Sequence, residues 1–292
     1  MVDMLSPFRC QLAIQGGGAK FVALVAALEA IEELEKEGVI KVTRIAGTSA
    51  GAIAGTLFAA RVPMAVVKAS LEKINIRQLL PPVGKSRMLW RFVRGQPFWG
   101  TDNIRKELQN LLKHGKVSGV AVGDLAKPPG IPIYITATDL RNSGLRTCDD
   151  NEAIVNALLD SCALPLVFRA ARNPVSNIVD GGICENLPSD LLTKHVSIDG
   201  PVLGLSFVPK ASDTPKTTFE FCKALLATAI NNSMMRAKRS LGDAVYDINT
   251  NIDTFDFDMT FSDSNRLRAE YENVRIKTGV SHLSRTEVTL AG

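Results

Sequence analysis

The chain has 292 residues, 46% hydrophobic and 22% charged, which excludes wholesale disorder and provides for a large buried core. Its formal net charge is only +4, from 34 Lys+Arg against 30 Asp+Glu, too mild for a nucleic-acid-binding protein as a whole. The length fits one large domain or two small ones.

A short apolar run, CQLAIQ, predicts a first strand at 11–15. Gly16, Gly17 and Gly18 follow, then a helical pattern over about 19–36. Its apolar residues Val22, Leu24, Val25, Leu28, Ile31 and Leu34 recur at threes and fours, and Gly38 stands at the helix stop. A second strand is predicted at 42–46. It runs through Gly47-Thr48-Ser49-Ala50-Gly51 into an alanine-rich helix at 52–60. Strand, tight turn and helix, twice over, predict a parallel α/β sheet.

Residues 132–137 (PIYITA) predict a buried strand, and 152–159 a helix. Ile178 and Val179 lead into Asp180-Gly181-Gly182. Another strand is predicted at 202–208, and 219–246 reads as one helix. Phe255, Phe257, Met259 and Phe261 alternate with Asp256, Asp258 and Thr260, as in a half-buried strand, and 266–277 predicts a terminal helix. Residues 81–100 are the one long irregular stretch.

The five cysteines, Cys10, Cys148, Cys162, Cys184 and Cys222, are scattered, odd in number and form no CxxC, which fits a reducing compartment. The start, MVDMLSPFRCQ, lacks a secretory leader pattern. The uncharged stretch 45–60 is shorter than the ~20 residues of a spanning helix and carries Gly47, Gly51 and Gly55. The expectation is a soluble, cytoplasmic protein.

Two motifs could carry chemistry. Gly47-x-Ser49-x-Gly51 between a strand and a helix is the pattern of a nucleophile turn: it lifts the hydroxyl clear of the backbone and places it at a helix N-terminus. Gly16-Gly17-Gly18-Ala19-Lys20 exposes consecutive backbone N–H groups, a nest for a phosphate or for a tetrahedral oxyanion. The P-loop spacing is absent, and Phe21 occupies the last glycine position of a dinucleotide fingerprint, so an oxyanion hole beside Ser49 is the better reading.

The base is less obvious. The three histidines, His114, His195 and His282, stand in polar stretches with no catalytic pattern, and no cluster suggests a metal site. Asp180 ends an apolar strand before two glycines. A carboxylate near pKa ~3.9 is a weak base, but partial desolvation beside the nucleophile would raise it. An ordinary turn at Asp180-Gly181-Gly182 remains the alternative.

Four ordered blocks over about residues 10–192 resemble the patatin-like phospholipases. QGGGAK resembles the family's oxyanion loop, and GTSAG its nucleophile elbow. Thr136-Ala137-Thr138-Asp139-Leu140 followed by Asp160-Ser161-Cys162-Ala163-Leu164-Pro165 resembles its central strand and its small-residue-plus-proline block. VDGGICENLP at 179–188 resembles its aspartate block. Phe21 departs from the glycine expected after the basic residue.

The resemblance implies a three-layer α/β/α fold with a mainly parallel sheet. One domain would span 1–292, with a motif-bearing core at about 10–210 and a helix–strand–helix extension at about 217–292. It implies a Ser49–Asp180 dyad without histidine or cofactor, and an oxyanion hole from Gly16, Gly17, Gly18 and Ala19. Lys20, Gly47, Gly51, Gly181 and Gly182 complete the motifs. The implied activity is phospholipase A or lysophospholipase hydrolysis of membrane phospholipid, peripherally at the inner membrane face. Some compact bacterial members are membrane-degrading effectors that a signal switches on, so a small-molecule activator is within the family's range. Two alternatives stand beside this: an α/β-hydrolase with a Ser–Asp–His triad using His195 or His282, and a non-catalytic lipid- or nucleotide-sensing module.

Residues 73–101 carry Lys73, Arg77, Lys85, Arg87, Arg91 and Arg94, no acidic residue, and both tryptophans, Trp90 and Trp99. Cations beside aromatic rings suit a membrane interface, and Arg87, Trp90, Arg91, Arg94 and Trp99 are its candidate contacts. A surface loop whose aromatics pack on the core is the alternative, and a nucleic-acid partner is not expected.

Overall fold

A computed structural model describes residues 6–73, 84, 86–87, 90–91, 94, 99–165, 167–168, 177–208, 214–250 and 252. The predicted strand at Phe255 to Phe261, the terminal helix at 266–277, His282 and much of the 73–101 segment lie outside them.

The first half builds two strand–helix units. β1 (Phe8–Ile14) feeds α1 (Phe21–Lys36) through the glycine loop, and β2 (Ile40–Thr48) feeds α2 (Ala50–Ala59). Then come α3 (Met64–Lys73), α4 (Asp102–Leu112), β3 (Ile133–Asp139), β4 (Gly144–Thr147) and α5 (Ile154–Ser161). β5 (Ile178–Asp180), the short helices α6 (Asp190–Thr193) and α7 (Val196–Asp199), β6 (Val202–Phe207), α8 (Thr218–Leu241) and β7 (Val245–Ile248) complete the described elements.

The described strands form one seven-stranded sheet in the order β4-β3-β2-β1-β6-β7, with β5 also paired to β3. β1, β2, β3, β6 and β7 are parallel, while β4 and β5 run antiparallel to β3. The pleat sends successive side chains to opposite faces. Leu12, Ile14 and Ile45 enter a large core with α1, α2 and α5, whereas Ala13 and Ala46 face a smaller one with Leu187, Leu192 and Ala237. The result is the expected α/β/α layering. The small alanines let the second helical layer approach the sheet closely.

α1 is buried on most sides, with Ala23 to Leu28, Ala30, Ile31 and Leu34 all enclosed. A helix this apolar belongs between layers rather than on a surface.

The predicted helix at 219–246 is corrected. It ends at Leu241, because Gly242 takes a left-handed φ of 55°, and Val245–Ile248 pair with β6 as a seventh strand. Its start is set locally by a capping box: the Glu220 N–H donates to Thr217 Oγ1 at 3.1 Å and the Thr217 N–H to Glu220 Oε2 at 3.2 Å. Helices α3 and α4 and strand β4 were not foreseen. α3 buries only Met64 and Val67, so its apolar stripe is faint in sequence, whereas α4 carries a clear stripe of Ile104, Leu108, Leu111 and Leu112.

Leu28 is fully enclosed in the larger core. Leu28→Ala is expected to cost about 2–5 kcal/mol, read as a lower midpoint in urea denaturation with an unchanged slope.

Candidate active site

β2 ends at Thr48, and the next residue, Ser49, holds φ 53° and ψ −124° before α2 begins. This left-handed conformation is uncommon for a residue with a side chain and stores strain at a position the surroundings over-determine. Gly51 shows why the turn needs its flanking glycines. A Cβ there would lie 2.5 Å from the carbonyl oxygens of both Ile14 and Gln15, so any side chain would push α2 off the end of β1. Gly47 is equally enclosed, against Gly51 and Ala52.

Asp180 reaches Ser49 through sheet topology. β4 pairs with residues 136–139 of β3 along one edge, which leaves the other edge to both β2 and β5. β2 uses that edge up to Thr48, opposite Thr136. β5 comes down it from the other direction, and Asp180 sits opposite Ala137. Asp180 therefore occupies the place that the residue after Thr48 would take if β2 ran on. The chain turns away at Ser49 instead, and Ser49 Oγ donates to Asp180 Oδ2 at 2.7 Å.

A small network fixes this meeting. The Gly182 N–H donates to Asp180 Oδ1 at 2.8 Å, so each carboxylate oxygen has a donor. Thr138 Oγ1 donates to the Asp180 carbonyl at 2.9 Å, and the Asp180 N–H donates to the Ala163 carbonyl at 3.0 Å. Thr48 Oγ1 lies 2.6 Å from Thr136 Oγ1 and donates to the Glu185 carbonyl at 2.8 Å. The Ser49 N–H donates to Ser161 Oγ at 2.8 Å. A Cβ on Gly181 would lie 2.6 Å from the Thr136 carbonyl, so this turn also admits no side chain.

Asp180 is 4% exposed. Burial pushes its carboxyl up to about 6, against the opposing effect of the Ser49 and Gly182 hydrogen bonds. That makes it a usable base near neutrality while it stays ionised at pH 7. Burial and the Asp180 charge hold the neighbouring Cys162 thiol far above its ordinary range, so it stays neutral.

The glycine loop lies against the same turn. The position of a Gly16 Cβ is 3.2 Å from Ser49 Cβ. The Gly16 N–H is donated to the Asn186 carbonyl at 3.0 Å, so it is not free to meet an oxyanion. Among the described residues, none accepts the N–H groups of Gly17, Gly18 or Ala19. Gly18 takes φ 53°, and Lys20 N–H closes the turn onto the Gly17 carbonyl. Lys20 is buried with its ammonium 4.8 Å from the Phe207 ring centre, and Phe207 also packs on Gly17. Lys20 could support the loop or meet a substrate phosphate, and this placement favours the first. Phe21 opens α1 at φ −50° and ψ −39°, a conformation that asks for no glycine.

His195 lies elsewhere. Its Nε2 is 2.9 Å from Tyr134 Oη, and burial and Arg44 lower its pKa. His114 is exposed beyond α4. The membrane candidates divide. Arg87 and Arg94 are exposed, and Trp90 is half exposed with Arg94 stacked 4.3 Å from its ring centre. Arg91 is part-buried, and Trp99 packs on Phe168 with ring centres 6.2 Å apart. Sequence reasoning missed Ser161, Asn186 and the threonines at 48, 136 and 138. All five fall inside the sequence blocks that resemble the family, but their small polar side chains carry no pattern of their own that assigns a role.

A family model described as Patatin-like phospholipase matches residues 12–193. The uncharacterized protein YqhO of Bacillus subtilis (strain 168) is 29% identical over 238 residues, covering 73% of this chain and 77% of that protein. Among solved structures, VipD from Legionella pneumophila aligns with a TM-score of 0.54 at 18% identity, over 94% of this chain and 67% of that one. Full-length ExoU, from the type III secretion system of Pseudomonas aeruginosa and solved with SpcU, aligns with a TM-score of 0.51 at 16% identity. There the match covers 96% of this chain and 53% of the other, so this chain spans about half of ExoU.

The raised Asp180 pKa carries a stability consequence. The folded state holds the proton more tightly than the unfolded chain, whose carboxyl titrates near 3.8. The protonated carboxyl is thus compatible with burial below pH ~4, and stability is lost as pH rises through about 6. Asp180→Asn removes the buried charge. It is expected to match the parent in thermal melting at pH 4 and to exceed it at pH 8 by roughly 1–3 kcal/mol.

Proposed function

The chain belongs to the patatin-like phospholipase family, and from that premise we propose that it cleaves fatty-acyl esters of membrane phospholipids through Ser49 and Asp180. The observation that carries this reading is the 2.7 Å hydrogen bond from Ser49 Oγ to a buried carboxylate, with His195 engaged at Tyr134.

Ser49 Oγ attacks the ester carbonyl carbon while its proton passes to Asp180 Oδ2. The resulting oxyanion is held by the N–H groups of Gly17, Gly18 and Ala19, aided by the N-terminal dipole of α2. Collapse expels the lysophospholipid oxygen, which takes the proton from Asp180 and leaves an acyl ester on Ser49. A water then attacks that ester, giving its proton to Asp180, and the second collapse returns a proton to Ser49 Oγ and frees the fatty acid. Burial serves both halves, because it raises the proton affinity of Asp180 without neutralising it at pH 7.

The membrane-contact reading is narrower than the sequence suggested. Arg87, Trp90 and Arg94 present a ring and cations to solvent, as an interface with anionic lipid requires, whereas Trp99 is engaged with Phe168.

Ser49→Ala and Asp180→Asn are each expected to abolish phospholipid and short-chain ester hydrolysis in folded protein, with the double variant no worse than either. A fluorophosphonate should label the parent at Ser49. Substantial hydrolysis by Asp180→Asn, or by Ser49→Ala, would overturn the dyad. Gly17→Ala forces a Cβ to within 2.5 Å of the Phe207 ring and should lower turnover about 10²–10³-fold through the displaced donor. Charge reversal at Arg87 and Arg94 should release the protein from anionic vesicles and spare hydrolysis of a soluble ester. Equal loss on both substrates would instead make the segment structural.

A further inference from the structure

The dyad is held from beneath by a short stretch that the mechanism itself does not use. Residues 160–164 leave the end of α5, with Cys162 and Ala163 N–H groups turned back onto the carbonyls of Leu158 and Asp160. From this turn two groups reach the two dyad residues separately. Ser161 Oγ accepts the Ser49 N–H at 2.8 Å, and the Ala163 carbonyl accepts the Asp180 N–H at 3.0 Å. Ser49 and Asp180 are 131 positions apart in the chain, yet both backbones are tied to points two residues apart on one turn. Asp160, at the start of the turn, is 3% exposed and faces Arg146 of β4 at 3.7 Å, which anchors the turn to the sheet edge.

We propose that Ser161 is a positioning residue for the hydrolysis, the acceptor that holds the nucleophile's backbone at its left-handed conformation and so keeps Ser49 Oγ in line with Asp180. The inference rests on the dyad reading. The geometry asks for such a group. At φ 53° the Ser49 N–H belongs neither to the ladder of β2 nor to the ladder of α2, and it lies in a part-buried setting where an unmet donor is costly. Ser161 is fully buried and its hydroxyl is the acceptor provided. This also directs the Ser49 N–H away from the substrate, which leaves oxyanion binding to the glycine loop.

Removing the acceptor should let the elbow relax, and a displacement of about 1 Å at a nucleophile can cost on the order of 10²-fold in rate. Ser161→Ala is therefore expected to fold, to lose about 10²-fold in kcat on a soluble short-chain ester, and to keep KM within about threefold. A second readout separates this from general loosening. The Ser49 hydrogen bond favours the ionised form of Asp180, so weakening it must raise the Asp180 pKa further. Activity needs Asp180 ionised, and the acid limb of the kcat/KM profile should move to higher pH than in the parent. The other titrating groups close by are the Cys162 thiol, neutral throughout, and Glu185, raised to about 7 by burial and Asp190; both are common to the two proteins, so their difference reports Asp180.

Should Ser161→Ala fail to fold, Ser161→Cys keeps the volume with a weaker acceptor and carries both readouts at intermediate size. Ser49→Ala is assayed alongside. A kcat within twofold of the parent, or a loss with the acid limb unmoved, overturns the role of Ser161 while an inactive Ser49→Ala leaves the dyad standing. An active Ser49→Ala overturns the dyad itself.

Discussion

The architecture of this site depends on two strands sharing one edge of a third. β2 and β5 approach each other along the same side of β3, and the sheet has room for only one residue opposite Ala137. Asp180 takes that place, and the chain at Ser49 must leave the plane of the sheet. The sharp turn, the helix that follows and the 2.7 Å contact between hydroxyl and carboxylate are consequences of that competition for one edge. A carboxylate carried on a loop would have to be ordered at an entropic cost, whereas Asp180 is fixed by backbone pairing that the fold requires in any case.

The same arrangement loads the fold with unfavourable terms. A carboxylate is taken out of water, and a serine is kept at a left-handed φ. Buried charge and backbone strain of this kind persist only where the surroundings leave no alternative. Here the surroundings are a row of small polar groups: Thr48, Thr136, Thr138, Ser161 and the Gly182 N–H each satisfy one donor or acceptor around the dyad. Beyond them the apolar core of Leu12, Ile14, Ile45 and α1 supplies the burial that offsets the cost. The base strength of Asp180 and the instability of its charge are one physical fact, since burial raises both.

The glycine loop shows a division of labour within five residues. Gly16 spends its N–H on Asn186, whose side chain also crowds the positions a Cβ would take on Gly16 and Gly182, so Asn186 wedges the loop against the aspartate turn. Phe207 supports Gly17 and Lys20 from the far side. The N–H groups of Gly17, Gly18 and Ala19, which no described residue accepts, follow on this supported backbone, and that is the preorganisation the proposed oxyanion site needs.

Much of this was legible in the residues. The alternation of apolar strands with helical periods named the parallel sheet, and the glycines at 47 and 51 marked a turn where a Cβ would meet backbone atoms at 2.5–2.7 Å. Glycine is readable because the absence of a side chain is itself the signal. Asp180 stood out for a similar reason, as the one carboxylate at a strand end followed by two glycines. The rest was decided by tertiary contact. That Gly242 would stop a long helix and free four residues to become β7 depended on an open edge at β6. That Gly16 would lose its N–H, that His195 would turn to Tyr134 and that Trp99 would turn to Phe168 depended on neighbours remote in sequence. Ser161 is the clearest case. A buried serine at a helix end has no periodicity and no spacing rule, and its meaning arises only when the fold brings a strained N–H to within 2.8 Å of it. Local patterns are written by steric and hydrophobic preferences along the chain. A hydrogen bond across 112 residues is written by packing, which no window of sequence contains.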